Sequence, residues 1–149
     1  MDIFYREALN EAKTAYKNNE VPVGCVIVKD GKIIGRGHNA MEGLKDPSAH
    51  AEVTAIREAA NTLGTWRLNG CTMYVTLEPC LMCASLTKKS RIHKVVIGVI
   101  EYKEGAFGSA VSINDLPPTE SFIQTEWLMD SESETLLKNF FKELRKSND

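Results

Sequence analysis

No stretch of this chain is long and apolar enough to cross a membrane. The longest apolar run, Val95 to Ile100, falls far short of the ~20 residues a spanning helix needs. Charge of one sign is lacking too: 18 basic against 20 acidic residues leave a net charge of −2. That excludes a surface bathed throughout in phosphate contacts, though it leaves room for a local basic patch. No apolar leader is expected, since Met1-Asp2-Ile3-Phe4-Tyr5-Arg6-Glu7 places charges where a signal peptide puts its apolar core. A cytoplasmic protein is expected, and there paired cysteines rarely make a structural disulfide. Cysteine is scarce in any case: four residues, two of them in Cys80-x-x-Cys83, a spacing that points to metal or redox chemistry. Repeats and low-complexity tracts are missing. What remains is an ordinary globular composition, 43% hydrophobic and 26% charged over 149 residues, which fits one domain spanning 1–149. A chain of this length can bury roughly 68–70% of its unfolded surface without crosslinks.

Periodicity orders the chain. Residues 3 to 19 place Phe4, Ala8, Ala12, Ala15 and Tyr16 near one stripe, as an amphipathic helix does. Val23 to Val28 and Lys32 to Asn39 read as strands joined at Asp30-Gly31, a pair suited to the positive φ of a tight hairpin. Residues 40–46 read as loop. Asp46-Pro47 reads as cap and first turn of a helix to Leu63, closed by Gly64. Cys71 to Leu77 is a strand, Cys80 to Ser90 a helix, and Lys94 to Ile100 a strand apolar enough for burial on both faces. Gly105, Gly108 and Pro117-Pro118 mark irregular chain, after which Ser131 or Ser133 caps a last helix to about Arg145. Strand–helix–strand units of this length pair in parallel with helices on both faces, giving an α/β class with three layers and one antiparallel hairpin.

Two clusters carry chemistry: His50-Ala51-Glu52 and Pro79-Cys80-Leu81-Met82-Cys83, each near a predicted helix start after a strand. Loops beyond the carboxyl ends of strands in an open α/β sheet share a crevice, so clusters about 30 residues apart can meet there. Cys80 and Cys83 lie on one helical face, near an N-terminus whose partial positive charge favours thiolate. Two thiolates and an imidazole make three zinc ligands, which leaves the fourth tetrahedral position to water. Glu52 beside such water can take its proton and hand it to a leaving group. Two plainer readings stand beside this one. The Cys pair can be a redox dithiol, or a structural zinc can take its fourth ligand from Cys25, Cys71, His38 or His93. On the strand pattern Cys25 and Cys71 are packed thiols, while Trp66 and Arg67 are structural and Phe140-Phe141 anchor the last helix to the sheet.

His-x-Glu followed by Pro-Cys-x-x-Cys is the signature of the zinc deaminases. On it the chain resembles the cytidine-deaminase-like superfamily, and within that the bacterial tRNA adenosine deaminases. The matching stretches are Glu20 to Gly24, His38-Asn39, Asp46 to Glu52, Trp66-Arg67-Leu68 and Tyr74 to Ala84. The resemblance implies a three-layer α/β/α sandwich around a mixed five-stranded sheet. It implies one Zn2+ per chain on His50, Cys80 and Cys83, with Glu52 as general acid/base. It also implies Asn39, Val23 and the backbone at Ala51 around the base, a homodimer, and hydrolytic conversion of adenosine to inosine in a tRNA anticodon loop. Beyond Ser109 the family's Asn-His-Arg segment is absent, and Asp115 to Glu120 stand in its region. That departure keeps open a deaminase of a free nucleobase or nucleoside of guanine or cytosine type, and a non-enzymatic zinc or thiol module stays open as well. Lys88, Lys89, Arg91 and Lys103 are candidate nucleic-acid contacts, and Lys138, Lys142, Arg145 and Lys146 form a second basic cluster. Both clusters can equally be cations that complement helix ends.

Overall fold

The computed structural model of the chain describes residues 2–148. Its five strands are β1 (Gly24–Lys29), β2 (Lys32–His38), β3 (Thr72–Leu77), β4 (Lys94–Val99) and β5 (Gln124–Trp127), in the sheet order β2-β1-β3-β4-β5. β1 runs antiparallel to both β2 and β3, whereas β3, β4 and β5 are mutually parallel. The sheet is therefore mixed, as the resemblance implies. Asp30 and Gly31 both take positive φ, which is what the tight β1–β2 turn requires.

Side chains alternate between the two faces of β1. Cys25 and Ile27 join a core with Ala51, Ala55 and Ile56 of α3 (Ala51–Leu63) and Ala84 of α4 (Leu81–Lys89). Val26 and Val28 instead meet Ala8 and Phe4 of α1 (Ile3–Lys17), with Tyr74 beside Phe4 at 5.7 Å between ring centroids. The last helix, α5 (Ser131–Asn148), packs beside α1, so α3 and α4 cover one face and α1 and α5 the other. Ile27, Met73 and Ile97 are fully buried at the centre, each stabilising the fold by roughly 1.5–3 kcal/mol.

Four local features depart from expectation, each for a physical reason. The segment 40–46 holds a four-residue helix, α2 (Met41–Leu44), because the buried Glu20 carboxylate accepts the N–H groups of Glu42 at 3.0 Å and Gly43 at 2.7 Å. The helix expected from Asp46-Pro47 starts at Ala51 instead. Asp46 spends its carboxylate on the Ser48 amide (2.8 Å) and hydroxyl (2.7 Å), which makes a turn, and His50 becomes the residue before the helix. β5 escapes the apolar pattern because it is a half-exposed edge strand of only four residues, Gln-Thr-Glu-Trp. The cap of α5 is Asp130, whose carboxylate takes the amides of Glu132 (3.3 Å) and Ser133 (3.0 Å). The Ser133 hydroxyl turns inward to the Thr76 carbonyl.

Candidate active site

The topology brings four chain segments to one edge of the sheet. β1 is antiparallel to β2 and β3, so its start lies beside the ends of both, with Gly24 paired to His38. Val23, Asn39 and the Glu78-Pro79-Cys80 turn therefore converge, and Glu78 joins the end of β4 by donating its N–H to the Val99 carbonyl at 2.8 Å. Gly37 lets α3 approach β2, since a Cβ there would collide with the Ala51 carbonyl and the Thr54 side chain.

His50 and Cys80 occupy equivalent places, each in extended conformation immediately before a helix, α3 and α4 respectively. Neither side chain caps its own helix, so both are free to point across the gap. Glu52 and Cys83 follow within the first turns, where the aligned peptide dipoles favour negative charge. The Cys83 and Cys80 sulfurs lie 3.4 and 3.7 Å from His50 Nδ1. A tetrahedral zinc at ordinary Zn–S and Zn–N bond lengths separates sulfur from nitrogen by about 3.5 Å, so this donor set fits the ion. Among the described residues His50, Cys80 and Cys83 form the one such cluster, and no fourth His, Cys, Asp or Glu joins it. His38 pairs with Glu11 at 2.9 Å, His93 faces the Phe122 carbonyl at 3.4 Å, and Cys25 and Cys71 are packed in the core. That separation leaves no ligand for a four-residue structural zinc site, and all four cysteines are free thiols.

Burial and mutual hydrogen bonds shift the titratable groups of the site. Glu52 is only 3% exposed, and burial pushes its carboxyl up to about 7, where it can both take and give a proton near neutrality. Hydrogen bonding from Cys83, aided by His50, holds the Cys80 thiol down at about 4, while the shared hydrogen bond to Cys80 and burial push Cys83 up. His50 is raised chiefly by its contact with Cys80.

Around this centre opens a cleft of about 980 Å³, lined in part by Val23, Asn39, His50, Glu52 and Cys80. Asn39 accepts the Ala51 N–H on its Oδ1 at 2.8 Å, which commits that amide to the side chain. Lys103 lies at the cleft, as do Lys138, Lys142 and Arg145 of α5, whereas Lys89 and Arg91 line a separate groove with Trp66. Lys88 lies in that groove too but is 7% exposed, its ammonium donating to the carbonyls of Ile113 (3.1 Å) and Leu116 (2.6 Å). Phe141 does not anchor α5 to the sheet. It stands 40% exposed at the cleft, while Phe140 packs edge-on against Tyr16 of α1.

One contributor carried no signal of its own in the sequence analysis. Glu78, 2% exposed, accepts the amides of Glu101 (3.1 Å), Phe107 (2.9 Å) and Ser109 (3.4 Å) as well as the Ser109 hydroxyl. It pins the loop after β4 against the cleft. Its place beside Pro79-Cys80 is the one clue the sequence offers.

A buried carboxylate beside a three-donor metal site, at one edge of a mixed α/β/α sheet, defines the class of zinc-dependent deaminases. Residues 2–99 match the cytidine and deoxycytidylate deaminase zinc-binding region. The tRNA-specific adenosine deaminase of Aquifex aeolicus is 46% identical over 144 residues, covering 97% of this chain and 95% of that protein. A structure from work on A-to-I editing by tRNA:A34 deaminases at the wobble position of transfer RNA superposes with TM-score 0.86 at 41% identity, covering 90% of this chain and 98% of that one. Guanine deaminase from Bacillus subtilis is more distant, with TM-score 0.63 and 30% identity over 81% of this chain and 93% of that one. The chain belongs to the cytidine and deoxycytidylate deaminase zinc-binding family, in the branch of the tRNA-specific adenosine deaminases.

Proposed function

We propose that the chain, acting as one deaminase domain over 1–149, hydrolyses the exocyclic amino group of adenosine in a tRNA anticodon loop, at the wobble position, to give inosine. The observation that carries this reading is the buried Glu52 carboxylate set beside the His50, Cys80 and Cys83 donors in a cleft that also presents Asn39. His50, Cys80 and Cys83 would hold a zinc ion, which when bound would acidify a water toward neutrality. Glu52 takes a proton from the attacking water as the water oxygen bonds to C6, and delivers that proton to the amino group; the C6–N bond breaks, ammonia leaves, and the C6 hydroxyl tautomerises to the carbonyl of inosine. Asn39, its oxygen tied to Ala51, turns its Nδ2 donor to an acceptor on the base. Val23 is the apolar wall of the base pocket.

Identity of 41–46% to proteins named for tRNA adenosine deamination supports adenosine over guanine, whose deaminase is the more distant neighbour. The cleft supports a polynucleotide over a free base, because it extends past the metal cluster to Lys103, Lys142 and Arg145. A homodimer belongs to the same reading, and the exposed Leu81 and Met82 at the start of α4 support it. So does a place in the cytoplasm. The test is mass spectrometry of nucleosides after incubating zinc-loaded protein with an arginine-tRNA anticodon stem-loop carrying A at the wobble position. Inosine at that position is expected. No inosine, together with turnover of a free base, would overturn the tRNA reading.

A further inference from the structure

At the cleft Tyr102 is 78% exposed, more than any other large hydrophobic residue among the described residues. A lone exposed ring on a mobile loop means little. This one sits on a loop held by Glu78, which takes the amides of Glu101 and Phe107 on either side of it. The turn is closed further by the Glu101 carboxylate on the Lys103 amide (2.9 Å) and the Glu101 carbonyl on the Gly105 amide (2.9 Å). Gly105 is required there, since a Cβ would run into the Glu78 carboxylate. The scaffold thus fixes the Tyr102 backbone while the described residues leave most of its side chain uncovered.

Phe141 lines the same cleft from α5, braced edge-on by Phe140 at 5.3 Å between centroids. Lys103, Lys142 and Arg145 stand alongside, and none makes a salt bridge among the described residues. Braced aromatic faces next to unpaired cations are how proteins hold single-stranded nucleic acid, each base laying its π-face on a ring while the backbone follows the charge. The metal cluster and Asn39 engage the reacting base itself, so rings further out in a cleft of this size are left for its neighbours.

We propose that Tyr102 is a stacking platform for the nucleotide flanking the target base, and that this contact makes the site select a base within single-stranded polynucleotide over a free base or nucleoside. The proposal rests on the tRNA reading and adds a determinant to it. Its test uses the zinc-loaded full chain and an anticodon stem-loop with 2-aminopurine at either position flanking the target adenosine. Binding to wild type is expected to quench the fluorescence at one of the two positions. Tyr102→Ala should abolish that quench and raise KM for the unlabelled stem-loop about 5- to 150-fold with a much smaller change in kcat, whereas Tyr102→Phe should restore both. Tyr102→Ala with unchanged quench and KM would overturn the proposal while leaving inosine formation, and hence the tRNA reading, intact. Tyr102→Phe behaving like the alanine variant would also overturn it, by assigning the effect to the hydroxyl. A fall from dimer to monomer mass in Tyr102→Ala would overturn it too, by giving the ring to a second copy of the chain. No inosine and no quench with wild type would sink both readings together.

Discussion

Asn39 Oδ1 accepts the backbone N–H of Ala51 at 2.8 Å, tying the end of the β2 segment to the first turn of α3 inside the cleft. The bond sets which end of the amide is left free: the oxygen is used, so the NH₂ group is the one on offer in the cleft. Two substitutions separate these functions. Asn39→Asp keeps an acceptor for Ala51 and loses the donor, whereas Asn39→Ala loses both. Each should lower kcat/KM about 10- to 100-fold, the worth of one well-placed hydrogen bond to substrate, and only the alanine variant should also lose stability, by about 1–3 kcal/mol. Steady-state kinetics and urea unfolding on both variants check this. An aspartate variant with wild-type kinetics would count against a donor role for Asn39.

Metal removal should cost activity before it costs the fold. The core of Ile27, Met73, Ile97 and their neighbours is built without the His50, Cys80 and Cys83 side chains converging on an ion. A chelated protein should therefore keep its far-ultraviolet circular dichroism, lose turnover and regain it with added zinc. Zinc present at about 100 times its dissociation constant should stabilise the fold by about 2.7 kcal/mol. Cys80→Ala or Cys83→Ala should remove the metal and that increment together, as read by metal analysis and thermal unfolding. One zinc per chain retained in either variant would contradict the ligand set.

Four of the five strands, the main helices and the metal-binding cluster were legible because each rests on local chemistry. Period-two and period-3.6 patterns mark the core faces, Asp30-Gly31 marks a turn, and Pro-Cys-x-x-Cys marks two ligands. What escaped rests on contacts far apart in the chain. Glu20 builds α2 from 22 residues away, and Glu78 reaches Phe107 across 29. Lys88 looks like one more surface cation in sequence, but its ammonium is spent on two carbonyls of the segment after Ser109. A cation cluster in sequence says nothing of which members are already satisfied, and here the cluster on α5 proved to be the one at the cleft.

Glu78 gives a stability prediction distinct from the catalytic ones. Glu78→Ala leaves the amides of Glu101, Phe107 and Ser109 without their acceptor, and a buried donor left unsatisfied costs about 1–3 kcal/mol. The variant should lose about 3 kcal/mol or more in urea unfolding. Ser109→Ala, which removes a single hydroxyl donor, should lose about 1 kcal/mol. Equal losses in the two variants would show that the carboxylate does not gather the loop.

Tyr5 gives the chain an alkaline limit. Its hydroxyl donates to Asp130 Oδ2 at 2.9 Å, and burial, with that carboxylate, raises the phenol well above its ordinary value of 10.0. Below pH 10 the phenol is protonated in both folded and unfolded chains, so the contribution is complete. Above it only the unfolded chain ionises, and stability falls as pH climbs toward the folded value. Tyr5→Phe should be less stable than wild type by about 1–2 kcal/mol at pH 8, with the gap narrowing as pH rises past 10. A gap that stays constant to pH 11 in urea unfolding would argue against the raised phenol.

Glu52→Gln isolates proton transfer from metal binding. The amide keeps the size and shape of the carboxyl in a position that is 3% exposed, so the fold and the His50, Cys80 and Cys83 cluster should persist with zinc content unchanged. What is lost is the group that, in the proposed reaction, takes the proton from water and passes it to the leaving amine. General acid–base residues contribute about 10²- to 10⁴-fold, and kcat should fall within that range while the affinity for a stem-loop changes little. A non-enzymatic zinc module would be indifferent to the substitution. Retention of zinc with loss of turnover therefore separates an enzyme from a binding domain, and a glutamine variant with full kcat would remove Glu52 from the mechanism.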